Sequence, residues 1–296
     1  MQLLDGNKTS KQIKEEIKTD VAKHVADGYR PPHLAAVLVG SNPASQSYVN
    51  YKIKDCSMVG FKSTLHELAD DVSEKDLLIL IDELNRQEDL DGYIVQLPLP
   101  KHINEDKIIQ AIDPIKDADG FHPTNLGRMV LDLPTYLPAT PYGIMEMLER
   151  YHIDTNGKNV VVLGRSNIVG RPMSILLSQK GNPGNATVTL CHSRTENIKE
   201  FTLNADIIIA ALGVANFLTA DMVSDGAVIV DVGINRVEDN TSKSGFKLIG
   251  DVDFDNVKEK ASYITPVPGG VGPMTRAMLL KNTLHAYKRN YLNKED

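Results

Sequence analysis

The sequence predicts an α/β protein of two domains, and three observations carry that expectation. Short β-branched runs alternate with helical patterns twice along the chain, the signature of βαβ units around a parallel sheet. An irregular, proline-rich stretch at 113–141 separates the two series. The second series opens on Val160-Val161-Val162-Leu163-Gly164-Arg165-Ser166-Asn167-Ile168-Val169-Gly170-Arg171-Pro172, an apolar run that breaks at a glycine and leads into a segment able to open a helix. At 296 residues the chain is long enough for two domains with a deep cleft between them.

Taken in order, Ile13, Ile17, Val21 and Val25 have helical spacing and predict a helix over 8–27, stopped by Gly28. A strand is expected at 33–39, a helix at 45–59, a strand at 61–68 and a helix at 74–86. The strand at 92–96 runs into Leu97-Pro98-Leu99-Pro100. After the irregular stretch a helix covers 142–151. Strands follow at 159–163, 186–191, 205–210 and 226–231, with helical patterns between the first three. A long helix over 272–291 closes the chain. The expected domains are 1–140 and 141–272, with the terminal segment 273–296 packing back onto the first.

Composition narrows the function classes. The 42% hydrophobic and 24% charged residues are ordinary for a soluble globular chain. A net charge of −7 argues against nucleic-acid binding, which normally shows a basic patch. Cys56 and Cys191 cannot make a disulfide framework and suit a reducing compartment. The N-terminus lacks the charged and apolar regions of a signal peptide. The longest apolar stretch, 205–218, contains Gly213 and Asn216 and is too short to span a bilayer. A cytoplasmic protein with no membrane partner is therefore expected. The histidines show no metal spacing and no zinc-type cysteine pair is present, so no metal is expected.

A strand–turn–helix with glycine at the turn directs backbone N–H groups and the positive end of a helix at one point, where nucleotide phosphates bind. Gly164 stands at the first such junction of the second domain, which is therefore read as a Rossmann-like dinucleotide-binding fold. The pattern departs from Gly-x-Gly-x-x-Gly: Ser166 takes the second glycine position, and Gly170 comes one residue late. Glycines that only permit a tight strand–helix approach are the alternative. The strand at 186–191 ends at His192-Ser193-Arg194-Thr195, where NAD-specific folds place a carboxylate for the ribose 2′-hydroxyl. Ser193 and Arg194 there, with Arg165 in the neighbouring turn, suit a 2′-phosphate and hence NADP. Glu196 keeps NAD open, and a solvated loop charge is the plainer reading of Arg194.

Tyr48 and Lys52 lie four apart on one face of the helix at 45–59, flanking a stripe of Val49, Ile53 and Cys56. A desolvated lysine loses its proton more easily and serves as a general base, with tyrosine as a relay. By periodicity alone a solvated helix face is the better reading, and Cys56 reads as core rather than nucleophile. Gln96 ends a strand, where open α/β sheets line their ligand crevice. Asp117-Ala118-Asp119-Gly120 does not fit a calcium loop. An acid there suits either a turn or the amidine of a planar ligand such as a pterin. The run Pro266-Val267-Pro268-Gly269-Gly270-Val271-Gly272-Pro273 combines restriction with close backbone approach, as a loop lying against a planar ligand requires.

Together these segments resemble the bifunctional methylenetetrahydrofolate dehydrogenase/methenyltetrahydrofolate cyclohydrolases through nearly the whole chain. The carriers are Tyr48-Val49-Asn50-Tyr51-Lys52, Val95-Gln96-Leu97-Pro98-Leu99-Pro100, Lys116-Asp117-Ala118-Asp119-Gly120-Phe121, Gly164-Arg165-Ser166 with Val169-Gly170-Arg171-Pro172, and the 266–273 run continuing into Met274-Thr275. The resemblance implies a folate-binding catalytic domain, an NADP domain, a homodimer and a place in one-carbon metabolism and purine biosynthesis. Its activity would be NADP-dependent oxidation of 5,10-methylenetetrahydrofolate, then hydrolysis of the methenyl product to 10-formyltetrahydrofolate. It makes Lys52 the catalytic lysine, assisted by Tyr48 and Gln96, and has Asp119 hold the pterin. It sets substrate against Tyr48, Pro268, Gly269 and Gly270. To the cofactor it assigns Gly164, Arg165, Ser166, Val169, Gly170, Pro172, His192, Ser193, Arg194, Gly213, Gly233, Ile234 and Thr275. The segment Gln179-Lys180-Gly181-Asn182-Pro183-Gly184 is longer than in some relatives and leaves cofactor choice open. Two other readings stand beside this one: a monofunctional or NAD-linked member of the family, and a non-enzymatic nucleotide sensor. The joint presence of Tyr48, Lys52, Gln96 and Asp119 disfavours the sensor.

Overall fold

The computed structural model describes residues 1–239 and 245–292. In chain order β1 (Gln2–Leu3) precedes α1 (Gly6–Ala26), β2 (His33–Val39), α2 (Pro43–Val59), β3 (Lys62–Leu68), α3 (Glu74–Arg86) and β4 (Gly92–Val95). Two short helices, α4 (Glu105–Ala111) and α5 (Pro123–Val130), lead to α6 (Ala139–Arg150). The second series runs β5 (Asn159–Leu163), α7 (Gly170–Ser178), β6 (Thr187–Cys191), α8 (Ile198–Leu203), β7 (Ile207–Ala210) and β8 (Val228–Asp231). An antiparallel pair, β9 (Asn235–Glu238) and β10 (Phe246–Ile249), precedes α9 (Phe254–Val257), β11 (Tyr263–Ile264) and α10 (Val271–Asn290).

The chain forms two compact units, one of Met1–Ser10 with Thr140–Thr275 and the other of Lys11–Ala139 with Arg276–Asp296. Of the terminal segment expected at 273–296, residues 293–296 lie outside the described residues. The expected division at 1–140 needs correction at its start. β1 adds in parallel to β11, with Gln2 opposite Tyr263 and Leu3 opposite Ile264, so the first ten residues belong with the second half. A two-residue strand has no period to read, which is why sequence pattern missed it. The expected irregular stretch at 113–141 also contains α5, whose start is fixed by His122 as N-cap and Pro123 in the first turn.

In the first unit six strands form one parallel sheet in the order β1-β11-β8-β7-β5-β6. β5, β7 and β8 are buried along almost their whole length, which explains their unbroken apolar sequences. Cys191 lies in the core beside Val161, Leu163 and Ile208. The chain steps from β5 to β6 on one side, then returns to place β7 on the other. The order thus reverses at β5, and the carboxyl ends of β5 and β7 flank the crevice where such sheets bind ligands.

The second unit holds a three-stranded parallel sheet, β3-β2-β4, in which all seven residues of central β2 are buried. Helix α2 begins where the Asn42 side chain accepts from the amides of Ala44 and Ser45, with Pro43 in its first turn. It stops at Gly60, which takes the left-handed conformation at φ 82°. Its buried residues are Ser45, Val49, Lys52, Asp55, Cys56 and Val59, so Lys52 sits within the buried stripe and not beside it. Ile53, expected in that stripe, is only half-buried.

Within this unit the buried Asn282 of α10 donates to two carbonyls, Ala118 O and Leu137 O, both at 2.9 Å. Asn282→Ala leaves both oxygens without that donor. It is expected to destabilise the protein by about 2 kcal/mol, read as a lower urea midpoint at unchanged slope.

Candidate active site

Lys52, 7% exposed, points its amine at the end of β4. Its Nζ donates to Gln96 Oε1 at 3.1 Å, and the other end of that amide is fixed by Gln96 Nε2 donating to Leu97 O at 2.7 Å. The Tyr48 ring, one turn earlier on α2, lies with its centroid 5.6 Å from Nζ. Burial pushes Lys52 below the ordinary lysine value, an effect that the Asp119 carboxylate opposes. Burial raises Asp119, which Lys52 draws back down, and it raises the Tyr48 phenol against the pull of Arg276. Lys52, Tyr48, Gln96 and Asp119 therefore come together in one unit. An amine of depressed basicity, a phenol and a carboxyl in one place make a proton-transfer set.

The two acids of Asp117-Ala118-Asp119-Gly120 do different work. Asp117 accepts from Gly120 N at 3.1 Å, His122 N at 2.7 Å and Asn125 Nδ2 at 2.9 Å, so it builds the loop. Gly120, at φ 74°, has no room for a side chain, since a Cβ would lie 2.5 Å from the Leu137 carbonyl. With its neighbour committed to the turn, Asp119 is left beside a pocket also lined by Leu97, Ile109, Ile112 and Phe121. Cys56 is buried and its thiol is pushed up to about 12, first by burial and then by Asp55, which removes it as a nucleophile.

One feature of the site escaped sequence reading. One turn beyond Lys52, the buried Asp55 accepts from Lys14 Nζ at 2.6 Å and pairs with Arg276 Nη1 at 3.2 Å. The Arg276 guanidinium also stands 4.8 Å from the Tyr51 ring centroid. This brace ties α1, α2 and α10 around the lysine. Its signal was an acidic residue on the buried stripe of an amphipathic helix, where an unpaired charge is not tolerated.

In the other unit the glycine turn is as close as its sequence demands. Gly164 has φ 112°, and a Cβ there would collide with the Ala211 carbonyl beyond β7. A Cβ on Gly170 would strike the Gly164 carbonyl, so the late glycine performs the close helix–strand packing. Ser166 Oγ accepts from Val169 N at 3.2 Å and Gly170 N at 3.3 Å, capping α7. Buried Pro172 has no amide to cap. The helix's own first amides are thus occupied. Among the described residues the amides of Arg165, Ser166, Asn167 and Ile168 have no acceptor, so the turn keeps free donors of the kind an anion needs.

The β6 turn lies alongside, because Leu163 pairs with Cys191 and Gly164 N donates to Cys191 O at 2.9 Å. His192 Nδ1 accepts from Arg194 N at 3.2 Å, and His192 N donates to Thr195 Oγ1 at 2.9 Å, which closes this turn. Ser193, Arg194 and Arg165 are all exposed at neighbouring strand ends. This cradle, closed to any side chain and edged by two arginines, fits a dinucleotide phosphate. Gly213 and Gly233 lie in loops at the ends of β7 and β8, and Ile234 is 55% exposed. Thr275 is placed differently: its hydroxyl engages Thr140 Oγ1 at 3.0 Å and Val271 O at 3.3 Å, not the strand-end loops. Pro268, Gly269 and Gly270 belong to this unit, where the Gly269 carbonyl accepts from Asn7 N at 3.1 Å. Among the described residues no three His, Cys, Asp or Glu side chains form a metal cluster, and no helix is long and apolar enough to cross a membrane.

A family model described as tetrahydrofolate dehydrogenase/cyclohydrolase, catalytic domain, matches residues 4–119. The model of the family's NAD(P)-binding domain matches residues 138–291. The chain is 65% identical to the bifunctional protein FolD of Cytophaga hutchinsonii, over 97% of this chain and 99% of that one. The structure of the bifunctional FolD methylenetetrahydrofolate dehydrogenase/cyclohydrolase from Campylobacter jejuni superposes with a TM-score of 0.92 at 49% identity, covering 98% of this chain and 99% of that one. The Trypanosoma brucei methylenetetrahydrofolate dehydrogenase-cyclohydrolase, solved with NADP and an inhibitor, gives 0.91 at 38% identity over 96% of each chain.

The depressed basicity of Lys52 is testable without any assay of turnover. In ¹³C-lysine-labelled protein its titration is expected below the ordinary value of 10.5. Gln96→Glu sets a carboxylate against Nζ and moves that titration upward, whereas an unshifted midpoint would show that the contact does not govern the amine.

Proposed function

The chain belongs to the tetrahydrofolate dehydrogenase/cyclohydrolase family, and we infer that it oxidises 5,10-methylenetetrahydrofolate with NADP and hydrolyses the methenyl product to 10-formyltetrahydrofolate. The observation that carries this reading is the buried Lys52 amine held on Gln96 beside Tyr48 and Asp119. All four lie within the part of the chain that matches the catalytic-domain model.

The two steps ask different things of the protein. Hydride leaves the one-carbon bridge, and the lone pair of the adjacent nitrogen stabilises the cation left behind, so the first step needs positioning more than acid–base help. NADP, when bound, supplies the hydride acceptor. Hydrolysis adds water to the methenyl carbon and opens the ring, which requires proton transfers. Neutral Lys52 accepts a proton from the attacking water and as an ammonium returns it to the ring nitrogen as the C–N bond breaks; the remaining hydroxyl proton passes to solvent as the formyl carbonyl forms. Tyr48 stands beside it as relay and as a face for the substrate, while Gln96 keeps the amine aimed. Asp119, free of the turn that Asp117 builds, receives the amidine edge of the pterin. Pro268, Gly269 and Gly270 offer a backbone surface for the planar substrate.

On the cofactor side the support is the cradle at Gly164, Ser166, Val169, Gly170 and Pro172, with Arg165, His192, Ser193 and Arg194 at the ribose phosphate. Gly213, Gly233 and Ile234 complete it at the ends of β7 and β8. Thr275, whose hydroxyl is engaged with Thr140, is assigned to the cofactor side as well. We place the enzyme in the cytoplasm as a homodimer, where its product serves as a formyl donor for purine biosynthesis; two unpaired buried cysteines suit that reducing compartment.

Absorbance assays on 5,10-methylenetetrahydrofolate with NADP and with NAD test the reading directly. Oxidation with NADP and hydrolysis of the methenyl substrate are both expected; turnover with NAD alone, or the loss of one step, would replace it with a narrower activity. Lys52→Met is expected to lose hydrolysis while keeping its melting behaviour, and normal hydrolysis in that variant would remove Lys52 from its role. In Arg165→Ala/Ser193→Ala the NADP-over-NAD preference is expected to fall by about tenfold. An unchanged preference would remove both residues from phosphate recognition.

A further inference from the structure

Two carboxylates that this chemistry does not use, Asp231 and Asp251, are 3% and 0% exposed. Among the described residues neither forms a salt bridge; each is ringed by N–H donors instead. Asp251 Oδ2 accepts from Leu212 N at 2.6 Å and Gly213 N at 2.8 Å, and its Oδ1 accepts from Asn235 Nδ2 at 2.9 Å. Asp231 Oδ1 accepts from Gly233 N and Asp251 N, both at 2.9 Å, and its Oδ2 accepts from Val252 N at 3.0 Å. Asp231 is itself fixed, its amide donating to Thr265 Oγ1 at 2.7 Å.

Together the two groups knot three segments: the loop after β7 at 212–213, the loop after β8 with the first residue of β9 at 233–235, and the loop after β10 at 250–252. A Cβ on Gly233 would collide with the Asp251 carboxylate, and one on Gly250 with that of Asp231, so both glycine backbones are moulded around the oxygens. The loops after β7 and β8 stand at the carboxyl ends of their strands, on the crevice side of the sheet. The ribose phosphate is expected at the β6 turn and the pyrophosphate at the β5 turn. The nicotinamide half of a bound dinucleotide then falls across β7 and β8, onto Gly213, Gly233 and Ile234.

We propose that Asp231 and Asp251 form a positioning pair for the nicotinamide half of the cofactor, setting the loops after β7 and β8 in their receiving conformation. This rests on the dehydrogenase reading given above. Backbone amides bonded to a buried carboxylate are held more rigidly than amides facing water, so the surface offered to the ring is formed before the cofactor arrives. The pair touches neither substrate nor cofactor. It acts through the loops.

Asp251→Ala and Asp251→Asn separate positioning from general stability, because hydrolysis uses side chains of the other unit and needs no nucleotide. In Asp251→Ala the KM for NADP is expected to rise by about tenfold or more, with hydrolysis of methenyltetrahydrofolate, assayed without nucleotide, within about twofold of the unaltered protein. Asp251→Asn keeps one carbonyl oxygen for Leu212 and Gly213 and should recover most of the NADP affinity. Calorimetric titration with NADP gives the same comparison independently of turnover, and it serves with the asparagine variant if the alanine variant does not fold. An unchanged NADP affinity overturns the proposal. So does a parallel fall of both activities with the melting temperature. Loss of both activities in the unaltered protein, with NADP binding still weakened in the variants, would instead overturn the dehydrogenase reading and leave the positioning pair in place.

Discussion

Holding the Lys52 amine inside the protein sets the terms for the residues around it. A buried ammonium is costly unless donors and charges nearby meet it, and the protein meets it only in part. Gln96 supplies a neutral acceptor and Asp119 a carboxyl whose own ionisation is resisted by burial. Neither partner stabilises the ammonium as a fully solvated carboxylate would, so the amine stays biased toward losing its proton. The full ion pairs lie one turn away, where Lys14 and Arg276 converge on Asp55. That division keeps α2 in place through charge pairing while leaving the Lys52 amine under-compensated.

The six-stranded unit handles its close contacts by removing side chains. Gly164, Gly170, Gly233 and Gly250 each stand where a Cβ would collide with a backbone carbonyl or a buried carboxylate. The departure from the usual glycine pattern follows from the same geometry. Gly170 provides the close packing one residue late, and Ser166, freed from that duty, uses its hydroxyl to cap the helix. Because the serine occupies the first amides of α7, the amides left without an acceptor among the described residues are those of the preceding turn.

The parts legible in sequence were those where one interaction dominates. The expected spans of β2, α3 and β5 match the observed ones, because a buried strand is apolar over nearly its whole length and a Ser73 cap with Glu74 and Asp76 behind it marks a helix start. β1 and β11, two residues each, exist only through their pairing and leave no local trace. The short helices α4 and α5 were hidden in polar, proline-rich sequence, although Asn104 and His122 cap them. At the site the residue types pointed to Lys52 and Tyr48, but a solvated face fitted their spacing as well. What the spacing concealed is that the buried stripe runs through 45, 49, 52, 56 and 59 with the lysine in its middle. The roles of Asp117 and Asp119 could not be separated by sequence, since they depend on which carboxyl meets the amides of Gly120 and His122. Asp231 gave less warning still, since an aspartate closing an apolar strand is also what an exposed strand end looks like, and Asp251 lies in a loop beyond β10.

Lys52 and the Asp231–Asp251 pair are compensated by different means. Around Lys52 the partners are side chains, and the Gln96 carbonyl accepts a hydrogen bond from an ammonium or from a neutral amine alike. The group can therefore change protonation state without losing its place. Around Asp231 and Asp251 the partners are mostly backbone amides, which cannot titrate and whose movement would displace whole loops. A proton-transfer site needs a partner indifferent to charge state, and a nucleotide cradle needs one that holds a single geometry. A side-chain amide such as that of Gln96 meets the first requirement, and backbone amides such as those around Asp231 and Asp251 meet the second.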